Sequence, residues 1–210
     1  ATANPAARSV RVSLAPSLAG SMLGALDFLT SYPYGCTEQT LSSFLPNLVV
    51  TRALGQLKIV PAERMSVLDR QVNDGLKRLL DMQNDDGGWG WWRSEASHPF
   101  MTAYAVYGLT EARREGVRFD AYRLERGARE LASLYARYPR AVPDLKAYVV
   151  FVLGRTGVQI ETFRHADALN DLWGARDRMS SYGRALLLLA LPAGMRLAPR
   201  PRDVHLVEQI

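Results

Sequence analysis

An all-α fold is predicted by three features of the 210-residue sequence. Apolar residues recur at helical spacing in segment after segment, and nothing beyond residue 14 alternates as a strand would. Near-uniformly apolar helices alternate with charged amphipathic ones, at a period of roughly 35–45 residues. The apolar helices also resemble one another: Ala103-Tyr104-Ala-Val106-Tyr-Gly-Leu109 and Ala147-Tyr148-Val-Val150-Phe-Val-Leu153 share Ala-Tyr-x-Val-x-x-Leu, and a looser copy surrounds Tyr182. A helix that is apolar all round must be buried on every side. Stacked helical hairpins satisfy that need. Closed into a ring, they give an α/α toroid with inner and outer helices.

The elements follow in order. Val10-Arg-Val-Ser-Leu14 alternates apolar and polar residues, so residues 1–16 form an extended N-terminal segment and residues 17–210 the helical domain. Ser17, after Pro16, caps a first helix with Leu18, Met22, Leu23, Leu26 and Leu29 on one face. Tyr32-Pro33-Tyr34-Gly35 ends it, because Pro33 disfavours helix at Tyr32 and Gly35 permits unusual dihedrals. A second helix runs from Thr37 to about Gln56, and Pro46 is expected to kink or split it. Further helices fit Ala62–Met82, Pro99–Glu115, Ala121–Tyr138, Pro143–Arg155, Glu161–Trp173 and Ser180–Leu191. Asp203–Ile210 reads as the start of another helix, so the toroid is expected to be incomplete at the C-terminus.

Composition excludes several classes. Hydrophobic residues make up 48%, the mark of a globular chain. The net charge is +5, but basic residues are interleaved with acids, as in Arg123-Leu-Glu-Arg-Gly-Ala-Arg-Glu130. That is a solvated helix face rather than a phosphate-binding stripe, and nucleic acid is not implied. The longest apolar run, Ala185–Leu191, is too short to span a bilayer, and Ala1–Arg8 lacks the apolar stretch of a secretory leader.

The chemistry concentrates in Cys36-Thr37-Glu38-Gln39. Cys36 is the only cysteine, so it has no intramolecular disulfide partner. Residues i and i+3 share one face of a helical turn, which lets the Cys36 sulfur meet the Gln39 side-chain amide. The thiol can then displace ammonia from that amide and close an internal thioester. Two other readings compete. A lone cysteine is usually a small buried hydrophobe. A cysteine protease would need a histidine base, for which the candidates are His98, His165 and His205, none in a recognisable protease setting.

Tyr32-Pro-Tyr-Gly-Cys-Thr-Glu-Gln-Thr-Leu-Ser-Ser-Phe-Leu-Pro-Asn47 resembles the thioester segment of the alpha-2-macroglobulin and complement family, in its bacterial form. Animal members carry Gly-Cys-Gly-Glu-Gln, whereas Thr37 stands here in place of the middle glycine. The resemblance covers essentially the whole chain, and it implies the same α/α toroid. It also implies a function: a single-use covalent protease trap, not a turnover enzyme, in which lysine amines of an attacking protease are acylated through the Gln39 carbonyl. Tyr32, Tyr34, Gly35 and Glu38 are supporting residues in this reading, with Glu38 favouring the helix dipole. Tyr32, Tyr34 and Phe44 are expected to supply part of an apolar screen, and a neighbouring domain the rest. No cofactor or metal is implied. The parent would be a multidomain inhibitor of the bacterial periplasm or cell envelope. Some complement proteins redirect the acyl group to hydroxyls with a distant histidine, which would fall near Glu125–Leu134; no histidine stands there, so amines are the expected acceptors.

Gln83-Asn-Asp-Asp-Gly-Gly-Trp-Gly-Trp-Trp92 resembles a motif of triterpene cyclases, which are also α/α barrels. Its structural reading is a tight glycine turn with tryptophans packed over helix ends. An enzyme on the α/α scaffold and a non-reactive helical binding module remain the alternatives to the trap.

Overall fold

A computed structural model of the chain describes residues 35–57, 62–138 and 141–191. The extended segment at Val10–Leu14, the helix after Ser17, Tyr32, Tyr34 and His205 lie outside the described residues. Among the described residues there is no strand; there are seven α-helices. They are α1 (Thr37–Leu57), α2 (Ala62–Asp81), α3 (Pro99–Arg114), α4 (Ala121–Arg137), α5 (Pro143–Thr156), α6 (His165–Gly174) and α7 (Ser181–Leu189), with a 3-10 turn at Arg176–Arg178.

The odd-numbered helices pack side by side in a row: α1 on α3, α3 on α5, α5 on α7. The even-numbered helices lie behind them, α2 on α1, α4 on α3 and α5, α6 on α5 and α7. This is the two-layer arrangement that the alternating hydrophobicity predicts. Helix α3 buries residues all round its circumference, including Met101, Ala103, Ala105, Val106, Leu109 and Ala112. Helix α4 buries one stripe, Leu124, Ala128, Leu131 and Leu134, and presents Glu125 and Arg129 to solvent as an i,i+4 pair at 3.4 Å.

Two departures have local causes. Helix α1 runs unbroken through Pro46 to Leu57. Proline removes one main-chain donor, but Leu41, Phe44, Leu48, Val50 and Leu54 are buried on both sides of it, and that packing outweighs the lost bond. Helix α6 begins at His165 rather than Glu161. Gly157 ends α5 in the left-handed region at φ 67°, and Val158, Ile160 and Phe163 then pack against the core from an irregular segment. Burying those apolar residues competes with starting the helix early.

Trp89 joins the layers on the side where α1 begins. It is 0% exposed, its Nε1 donates to the Leu79 carbonyl at 2.8 Å, and its main-chain N–H donates to Thr102 Oγ1 at 3.0 Å. Thr102 Oγ1 in turn donates to the Trp89 carbonyl at 3.2 Å. One residue thus ties the end of α2 to the first turn of α3.

Candidate functional site

Cys36 is the residue immediately before α1, and Gln39 lies in the helix's first turn. The Gln39 main-chain N–H donates to Cys36 Sγ at 3.4 Å, and the Cys36 N–H donates to Gln39 Oε1 at 3.4 Å. This is the reciprocal geometry of a capping box, with sulfur in the place of the usual hydroxyl. It places thiol and side-chain amide on one helical turn, each bonded to the other residue's main chain. Cys36 is 8% exposed, whereas Gln39 is half-buried, so the amide is the more accessible member of the pair.

The turn is fastened from outside by Thr37. Its N–H donates to the Trp91 carbonyl at 2.9 Å and its Oγ1 to the Gly90 carbonyl at 2.7 Å. The first amide of a helix has no partner within the helix, and here the partner is supplied from a loop more than fifty residues away. Gly90 can lie there because it has no side chain: a Cβ would fall 2.7 Å from Glu95 Cβ and 2.8 Å from the Glu95 carbonyl oxygen. Gly35 lies close to Arg78, whose Nη1 would be 3.2 Å from an added Cβ.

The supporting residues sort as follows. Glu38 accepts from Ser42 Oγ at 2.6 Å within the first turns of α1, where a carboxylate complements the helix dipole. Phe44, expected in an apolar screen, is instead in the core at 1% exposure, packed against Gly75. Its position about two turns into α1 turns it toward Gly75 of α2 and Gly108 of α3. Sequence reasoning missed the tethering role of Thr37 and the placement of Arg78, since their partners are distant in the chain.

The glycine-tryptophan loop is held by structural bonds. Gln83 Nε2 donates to the Gly87 carbonyl at 2.8 Å and to the Arg123 carbonyl at 2.9 Å, and Asp86 Oδ1 accepts from the Gly88 N–H at 2.8 Å and from Ser97 Oγ at 2.7 Å. Gly87 adopts φ 96°, a conformation that favours glycine. Asp86 is therefore turn chemistry. Trp91 and Trp92 remain substantially exposed beside the Thr37 anchor.

His98 caps α3: its Nδ1 accepts the Phe100 N–H at 3.2 Å, and its ring lies 6.0 Å from that of Trp91. Burial holds the imidazole below its ordinary value of 6.5. Only the neutral ring can accept at Nδ1. A group with a depressed native pKa takes up its proton more readily when unfolded, so its contribution to stability is complete above about pH 6.5 and is lost as pH falls through the lower native value. The substitution His98→Asn, which retains a capping oxygen, is expected to flatten this acid dependence in denaturant titrations. An unchanged slope would place the acid sensitivity elsewhere. His165 opens α6 and packs over Gly154, with Nε2 at 3.3 Å from the Ala190 carbonyl.

Comparison with known proteins identifies the family of the domain. Residues 12–132, more than half of the chain, match the family model of the A-macroglobulin TED domain. The chain belongs to the alpha-2-macroglobulin family. It is 33% identical over 156 residues to an alpha-2-macroglobulin of Thermotoga maritima, covering 74% of this chain and 9% of that protein. Among solved structures it is similar to native Escherichia coli alpha-2-macroglobulin spanning domain MG7 to the C-terminus, with TM-score 0.63 and 27% identity over 81% of this chain and 28% of that one. It is likewise similar to Salmonella alpha-2-macroglobulin reacted with methylamine, with TM-score 0.64 and 26% identity over 81% of this chain and 12% of the other. The chain therefore spans under a tenth of the length of the Thermotoga relative, and the family fold it shares is the helical domain described above. Within that domain, the family's likeness extends across α1 to the greater part of α4.

Proposed function

We propose that this chain is the acyl-donor domain of a bacterial alpha-2-macroglobulin-like, broad-spectrum protease inhibitor, and that Cys36 and Gln39 form its internal thioester. The observation that carries the reading is the reciprocal pairing of Cys36 and Gln39 across one helical turn. Bond formation joins Cys36 Sγ to Gln39 Cδ and breaks the Gln39 Cδ–Nε2 bond. The thiol proton leaves with the amide nitrogen as ammonia. The tetrahedral intermediate places negative charge on Gln39 Oε1, which already faces the Cys36 N–H at a helix N-terminus. A main-chain donor and the positive end of a helix dipole both oppose that charge.

Attack by a lysine amine then reverses the roles. The amine nitrogen bonds to Gln39 Cδ, the Cδ–Sγ bond breaks, and the Cys36 thiol is restored with the lost proton. Each molecule reacts once, so the protein is a trap and not a turnover enzyme. Water competes for the same carbon. The low exposure of Cys36 protects the sulfur side. A neighbouring domain of the parent completes the screen, and the helical row is part of an α/α toroid. The partners are attacking proteases and the parent's own domains, in the periplasm or cell envelope.

Methylamine tests the reading, and a Salmonella relative has been crystallised after reaction with it. The full-length parent is expected to incorporate one methylamine at position 39 and to release one thiol. Uptake elsewhere, or release of no thiol, would remove Cys36 and Gln39 from the chemistry.

A further inference from the structure

We infer that Thr37 is a positioning residue for the thioester, holding the Cys36–Gln39 turn in the geometry in which the thiol reaches the amide carbon. The inference rests on the reading of Cys36 and Gln39 as the acyl-donor pair. Thr37 is 1% exposed and makes two bonds to consecutive carbonyls, one from its main chain and one from its hydroxyl. Their acceptors, Gly90 and Trp91, directly follow Trp89, the fully buried residue that is itself fixed to α2 and α3. The reactive turn is thereby tied to a loop whose Trp89 is fixed in the core.

Within the pair, the bond from the Cys36 N–H to Gln39 Oε1 is long at 3.4 Å, and the bond from the Gln39 N–H ends on sulfur, a weak acceptor. Such bonds hold the turn weakly by themselves. Thr37 stands between Cys36 and Gln39 in the chain, so its anchor fixes the main chain on which both side chains are mounted. The hydroxyl adds a second attachment to the one the main chain makes. Reacting atoms must be held near contact distance, and displacement by about 1 Å can cost on the order of a hundredfold in rate.

The test uses the full-length parent with Thr37→Val, Thr37→Ala and Thr37→Ser. Valine keeps the shape and the main-chain bond but leaves the buried Gly90 carbonyl without its hydroxyl partner. Alanine removes the same hydroxyl without bulk, so that the result does not depend on whether valine is accommodated. Serine keeps the hydroxyl. The readout is methylamine incorporated at position 39 per folded molecule, alongside the thermal unfolding midpoint. Loading is expected to fall roughly tenfold in the valine and alanine variants and to stay within about twofold of wild type in the serine variant. A role confined to stability would lower the midpoint and leave loading per folded molecule unchanged, and that result overturns the inference. Loss of loading in the serine variant equal to that in the other two also overturns it, because the methyl group would then be what matters. Absence of loading in the wild type would instead refute the acyl-donor reading itself, and the inference with it.

Discussion

Substitution of Cys36 by alanine in the full-length parent is expected to abolish covalent conjugation to proteases while leaving the domain folded. Loss should be complete, because in this reading Cys36 supplies the sulfur of the bond that acylates the protease. The effect on folding should be small. Cys36 precedes α1, and its sulfur accepts one 3.4 Å bond, so alanine removes a weak cap and little packing. The main-chain bonds of Thr37 do not depend on the sulfur. Conjugates visible on denaturing gels with wild type should be missing with the variant, at an unfolding midpoint within a few degrees of wild type. Undiminished conjugation by the variant would rule out Cys36 as the acyl carrier.

Trp89→Ala is the substitution expected to cost most stability, about 4 kcal/mol. The indole is fully buried, and Gly127 makes room for it: a Cβ there would fall 2.9 Å from Trp89 Cζ3. Removing the ring leaves a cavity between α2, α3 and α4 and strips the Leu79 carbonyl of its Nε1 donor. Trp89→Phe, which keeps most of the ring, should lose about 1–2 kcal/mol through the lost Nε1 bond and the smaller volume. Denaturant unfolding of the 210-residue chain measures both. A loss below about 1 kcal/mol for the alanine variant would show that Trp89 is not what joins the layers. Since Thr37 is anchored beside Trp89, the alanine variant should also loosen the reactive turn.

The helices were legible in the sequence because each reports itself locally. The all-round burial of α3 follows from Phe100-Met-Thr-Ala-Tyr-Ala-Val106, and the single buried stripe of α4 from the charges between its leucines. Cys36 and Gln39 were legible for the same reason, since i,i+3 spacing states their proximity without reference to the rest of the fold. What escaped was set by distant partners. Pro46 argued for a kink or a split, and with residues buried on both sides of it α1 is not split. Phe44 read as a candidate screen until the approach of α2 and α3 enclosed it. Thr37 read only as a replacement for glycine, because the carbonyls that use its hydroxyl and amide lie in a loop whose path the local pattern does not give.

The most direct test of the Cys36–Gln39 thioester is the mass of the peptide that contains both residues, taken from the native full-length parent under denaturing conditions without added nucleophile. A closed thioester makes that peptide lighter than its sequence by one ammonia and leaves Cys36 unreactive to thiol reagents. That deficit, confined to residues 36–39, is the predicted result. A peptide of full sequence mass, with glutamine intact at position 39 and a Cys36 thiol that titrates at once, would contradict the account.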